Sequence, residues 1–214
     1  MSARTRIMER LRRATDGRRD PAAVSQRLSS LAQTAPVPEQ GRTGGEARIA
    51  LFREKAEAVD TTLTRLSGIE ELPGALAGEL RARNLPAAIR TGSDPLFGRD
   101  WGGVERTVGP GRLLEPVTLS RAVLSSAETG TLLLASGPEN PVTLTFLGET
   151  HFVALREGDV CAGFEEMWAR FRETGLDPRT VNLVTGPSRS ADIGQTLQLG
   201  AHGPVSLHVF LMAE

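Results

Sequence analysis

HFVALREGDVCAGFEEMWARFRETGLDPRTVNLVT, residues 151–185, holds a strand, a helix and a second strand in one run. His151 to Leu155 is apolar and compact, as a buried strand requires. Phe164, Met167, Trp168 and Phe171 follow at i, i+3, i+4 and i+7, which places them on one helical face, and Gly175 marks the end of that helix. The stripe is a core face rather than a cofactor cradle. Val181 to Thr185 then reads as a strand. Alternation of this kind predicts an α/β fold, a mainly parallel sheet with helices on both faces.

Working outward, the C-terminal side continues with a polar, Gly-rich loop from Gly186 to Gly194 and a closing strand at Val205 to Met212. On the N-terminal side, a turn at Gly137 to Pro141 leads into apolar residues to Leu147. Before it lie strands at Thr131 to Ala135 and Val117 to Leu119, with a one- or two-turn helix expected near Ser120. Pro95 to Gly111 is a Gly-rich loop carrying Trp101 and a short strand around Val104 to Val108. Leu72, Leu76 and Leu80 repeat every four residues between strands at Thr61 to Leu66 and Ala87 to Arg90, and this second strand–helix–strand suggests parallel pairing. Ile49, Phe52, Ala56 and Val59 mark one more helix.

Residues 1–45 differ in character. The first twenty contain seven arginines but little apolar surface beyond Ile7, Met8 and Leu11, and they read as a short basic amphipathic helix. Asp20-Pro21 is a cap followed by proline at the first helical position, with Val24, Leu28 and Leu31 behind it. Thr34 to Gly45 has linker composition. The expected organisation is a basic helical N-terminal arm with its linker over 1–45 and an α/β domain over 46–214. The arm is a partly mobile extension or an element that binds a partner.

Composition narrows the chemistry. With 25 basic and 26 acidic residues the formal charge is −1, so no large field for nucleic acid or an anionic membrane is expected. Cys161 is the one cysteine, which rules out an internal disulfide, a four-thiolate zinc site and an iron–sulfur cluster held by this chain alone. Lys55 is the one lysine and has no Gly-Lys-Ser/Thr context, so a Walker loop is absent and Schiff-base chemistry is improbable. The Arg-rich start lacks the apolar core of a signal peptide, and residues 193–213, though uncharged, are broken by Gly, Pro and His; a cytoplasmic chain that does not span a membrane is expected.

Two loops carry candidate chemistry, each expected at the carboxyl end of a strand, where open α/β sheets bind ligands. Gly186, Pro187, Ser188, Arg189, Ser190 and Asp192 combine permissive glycine, hydroxyls and a forked cation, the parts that hold a carboxylate or phosphate. They serve equally as a self-satisfied turn. Glu128-Thr129-Gly130-Thr131 sets a carboxylate before a strand, either for chemistry or paired with an arginine such as Arg189. His202, with Gly203 beside it, is a base, a ligand or a turn residue. His151 and His208 lie on strands and read as structural. Ser188 falls one glycine short of a hydrolase elbow, and no Gly-x-Gly-x-x-Gly follows a strand.

AETGT at 127–131, LGETH at 147–151 and TGPSRSADIGQTLQLGAHGP at 185–204 resemble, in order and spacing, the LUD domain family of lactate utilization protein C (LutC/YkgG). The resemblance is close over 117–214 and loose from 46. Gly148 stands where proline is usual and Gly194 where an acid is common. The resemblance implies a NagB/RpiA/CoA-transferase-like fold and membership of a system oxidising L-lactate to pyruvate, with iron–sulfur clusters on partner proteins. That fits a chain with one thiol and no flavin or nicotinamide fingerprint, so no cofactor is expected here. Three functions follow: a non-redox subunit or accessory protein beside iron–sulfur partners, an acyl-CoA transferase with Glu128 as nucleophile, or a module binding a small carboxylate or phosphate. Oligomerisation is compatible with each.

Overall fold

The computed structural model describes residues 2–15, 20–34, 36–113, 115–191, 197–200 and 202–213. It divides into two compact units, 1–37 and 38–214. The first contains α1 (Ala3–Thr15) and α2 (Pro21–Thr34). Asp20 starts α2 as its residue type dictates, its Oδ1 accepting from the N–H groups of Ala22 and Ala23 at 2.9 and 3.2 Å. Ile7, Met8 and Leu11 of α1 are exposed beside its arginines.

The second unit is built on a six-stranded, wholly parallel sheet. Its strands are β1 (Thr62–Leu66), β2 (Ala88–Thr91), β3 (Glu105–Val108), β4 (Glu115–Arg121), β7 (Gly148–Arg156) and β12 (Ser206–Met212), in the spatial order β1-β12-β7-β4-β2-β3. A smaller sheet, ordered β8-β5-β6-β9, joins β5 (Leu124–Ser126), β6 (Thr131–Ala135), β8 (Val160–Cys161) and β9 (Val181–Val184). Here β6 runs antiparallel to both β5 and β9. A two-stranded ribbon pairs β10 (Arg189–Ala191) with β11 (Leu197–Leu199).

Three cores separate the layers. On one face of the large sheet, α4 (Leu72–Ala82) places Leu72, Leu76 and Leu80 against Phe152, Phe210 and Met212, with Phe97 and Trp101 beside them. On the opposite face, Phe52 of α3 (Gly45–Ala58) and Leu132 and Leu134 of β6 meet Val153, Leu155, Val209 and Leu211. Behind the small sheet, Met167 and Phe171 of α6 (Phe164–Glu173) cover Leu124 and Leu133. The even and odd residues of β7 and β12 thus enter different cores, which explains why both strands are apolar along their length.

Four details differ from the expectations. Ser120 opens no helix: β4 runs to Arg121, since Ser120 is in register with Val153 and the ladder to β7 overrides the local ambiguity. β1 and β2 are parallel members of one sheet but not neighbours, because β12, β7 and β4 lie between them. The elements of 151–185 do not return to one sheet: β7 belongs to the large sheet and β9 to the small one, so α6 covers the latter. Part of the loop at 186–194 is the ribbon strand β10.

Candidate functional site

Ser188 is the hub where the chain leaving β9 meets the chain entering β12. Its N–H donates to the Pro204 carbonyl at 2.8 Å, its carbonyl accepts from Gly200 N–H at 3.1 Å, and its Oγ accepts from His202 N–H at 3.3 Å. Gly186, at φ +76°, makes this path possible, because a Cβ there would lie 2.5 Å from the Val59 carbonyl oxygen. A Cβ on Gly203 would press on Ser188 at 3.3 Å.

These segments enclose a cavity of about 190 Å³ lined by Thr185 to Ser188, His202, Gly203 and Pro204 together with Thr145 and Phe146. Thr145 belongs to α5 (Val142–Leu147), is 1% exposed, and among the described residues has no partner for its Oγ1. His202 and Gly203 also line an adjoining cavity of about 350 Å³ with Leu113, Gly148 and Glu149. Residues 202–204 precede β12 and Gly148 begins β7, so this region lies at the amino edge of the parallel sheet. The expected placement at the carboxyl ends holds for β9, before the 186 loop, and for β5, before the turn at 128, both of the small sheet.

The turn at 128–131 approaches this cavity through hydroxyls. Thr129 Oγ1 is 2.7 Å from Thr131 Oγ1, which is 2.7 Å from Thr185 Oγ1. Gly130, at φ +67°, lies against α3, where a Cβ would come within 2.5 Å of Ala56 N. Glu128 points elsewhere. Its Oε1 accepts from Phe164 N–H at 3.1 Å, its own N–H donates to Ala162 O at 3.1 Å, and a Cβ on Gly163 would sit 2.9 Å from its Oε2. The carboxylate therefore faces the first turn of α6, where the helix dipole favours negative charge. Arg189 pairs with Asp60 rather than Glu128, so its guanidinium is partly neutralised. Ser190 contributes backbone to β10, and Asp192 lies outside the described residues.

The remaining titratable groups are structural in setting. His208 Nδ1 is 2.7 Å from Thr62 Oγ1 and 3.1 Å from Arg83 Nη2; burial pushes its pKa down to about 4. His151 is fully buried, has no partner at either ring nitrogen among the described residues, and is pushed by burial to about 3. Cys161 is buried and its thiol is pushed up to about 11, again by burial. Among the described residues no group of three or more His, Cys, Asp or Glu is placed to hold a metal, and no helix is long and apolar enough to cross a membrane.

Thr145 and Phe146 are the site residues that sequence reasoning missed. The run to Leu147 reads only as apolar residues after a turn, and a helical turn presenting Thr145 inward has no local signature.

Residues 116–212 match the family profile described as LUD domain. Over 90 residues the chain is 40% identical to an uncharacterized protein of Neisseria meningitidis serogroup B, covering 41% of this chain and 38% of that protein. It is 34% identical over 95 residues to lactate utilization protein C of Geobacillus sp. (strain WCH70), covering 42% of this chain and 39% of that one. For lactate utilization protein C of Bacillus subtilis the identity is 28% over 102 residues, with 46% and 42% covered. The matched stretch spans about two fifths of the length of these relatives. A crystal structure of a DUF162 family protein from Deinococcus radiodurans superposes with a TM-score of 0.60 at 22% identity, covering 80% of this chain and 99% of that chain. The likeness is one of fold.

Proposed function

We propose, from the match of residues 116–212 to the LUD domain profile, that the protein serves L-lactate utilization in the cytoplasm as a non-redox subunit or accessory protein, beside partners that carry iron–sulfur clusters. The observation that carries this reading is the similarity of that domain to proteins named lactate utilization protein C. The chain's chemistry supports the division of labour: oxidising a hydroxy acid requires an electron acceptor, and its one thiol is buried and held protonated at neutral pH. The cavity around Ser188 suits a ligand of a few heavy atoms, with Thr145, Thr185 and Ser188 offering neutral donors to a carboxylate. Glu128 contributes to the anchoring of α6 in this scheme and not to acyl transfer.

Two measurements test the proposal. Purification with candidate iron–sulfur partners should retain them on the tagged protein, and a deletion strain should lose growth on L-lactate while keeping growth on pyruvate. Normal growth on lactate without the gene, with no iron–sulfur protein retained, would reject it.

A further inference from the structure

The carboxyl edge of the parallel sheet holds a separate cavity of about 400 Å³, at the ends of β2 and β4. We propose that it binds a small 2-amino or 2-hydroxy acid, with Arg121 taking the carboxylate. Arg121 is the last residue of β4, and its Nε donates to Asp94 Oδ2 at 2.7 Å. Asp94 is 5% exposed, and its other oxygen accepts from Leu96 N–H at 2.8 Å, so it is a fixed anchor. The side chain is one-third exposed and lines the cavity; among the described residues Asp94 is the partner its guanidinium hydrogen-bonds, through Nε, and Asp159 lies near enough to feel its charge. Nη1 and Nη2 form an end-on fork whose spacing matches the two oxygens of a carboxylate.

The walls around this fork are tied together. A Cβ on Gly92 would fall 1.8 Å from the Glu139 carbonyl oxygen, and Ser93 N–H donates to Pro138 O at 3.1 Å, locking the turn after β2 to the turn after β6. Ser136 and Thr180 exchange two hydrogen bonds of 2.9 Å, which add the segment leading into β9. Loops from three strands thus form one preorganised rim, the arrangement that open α/β sheets use for ligands.

The charges select the ligand class. Glu139 and Asp177 line the cavity as exposed carboxylates, so a dianion such as phosphate is disfavoured beside the single guanidinium. In a 2-amino or 2-hydroxy acid the carboxylate takes the guanidinium while the neighbouring ammonium or neutral hydroxyl donates to the acids, and Val123 and Leu176 provide apolar wall for a short aliphatic side chain. This inference stands without the lactate reading, because it rests on the Arg121 fork alone.

Isothermal titration of the full chain with L-alanine, L-valine, L-lactate, pyruvate, acetate and inorganic phosphate tests it. An amino or hydroxy acid should bind more tightly than pyruvate, acetate or phosphate. Arg121→Gln should weaken it by roughly ten- to a hundredfold, the range for a hydrogen bond to a charged group. Arg121→Lys, which keeps the charge beside Asp94 and so protects the fold, should also weaken it. The alanine and lactate arms separate the two ligand types. Binding of phosphate alone, binding unaffected in both Arg121 variants, or no binding by any compound overturns the proposal.

Discussion

At the scale of single residues, burial of His151 makes the clearest demand on solution conditions. Its imidazole lies on β7 in register with Thr118 and Leu207, fully buried, and only the neutral form is tolerated. A histidine whose folded pKa is depressed to about 3 takes up its proton in the unfolded chain first. Its contribution is therefore intact above the unfolded value of about 6.5 and is lost as pH falls from there toward about 3, at up to about 1.4 kcal/mol per pH unit. His208 adds a drain of the same sign down to about 4. Urea unfolding at pH 7.5 and pH 5 should show a clear loss at the lower pH, and His151→Phe should shrink that difference; a pH-independent midpoint would contradict the burial argument. Gly92→Ala tests another contact at this scale: a Cβ 1.8 Å from a backbone oxygen forces the two turns apart, and thermal unfolding should report a loss of several kcal/mol.

At the scale of elements, α6 depends on one thing visible in its sequence and one that is not. Its stripe is legible, and truncating its fully buried member by Met167→Ala should cost about 2–5 kcal/mol in chemical denaturation. Its start is not legible, because the carboxylate that accepts from Phe164 N–H comes from Glu128, thirty-six residues earlier. Glu128→Ala should destabilise by about 1 kcal/mol, while Glu128→Gln, which retains an acceptor, should cost less. Equal losses of lactate-dependent growth in both variants at unchanged stability would instead return Glu128 to chemistry. The helix expected at Ser120 and the run left unassigned at Thr145 share one cause: both lie in short stretches of β-branched and small residues that fit a strand or a helical turn equally, and partners distant in sequence decide between them.

At the scale of the whole molecule, all three cores lie within 38–214. A chain beginning at Pro38 should therefore unfold cooperatively with a melting temperature within a few degrees of the full protein, measured by calorimetry; a broad, non-cooperative transition would show that residues 1–37 are required. Local sequence determined the element types where an apolar period was long, as in α4 and α6, and the parallel α/β character of the strands that are apolar on both faces. The motifs at 127–131, 147–151 and 185–204 also carry the resemblance to the LUD domain family, whose profile residues 116–212 match. Only tertiary structure decided that the strands divide between two sheets, that Ser188 meets His202 while Glu128 turns to α6, and that Arg121 faces a cavity braced by Asp94. The reason is physical: periodicity reports which face of an element is buried, but strand order and side-chain partnering depend on contacts between residues far apart in the chain, and no local pattern records these.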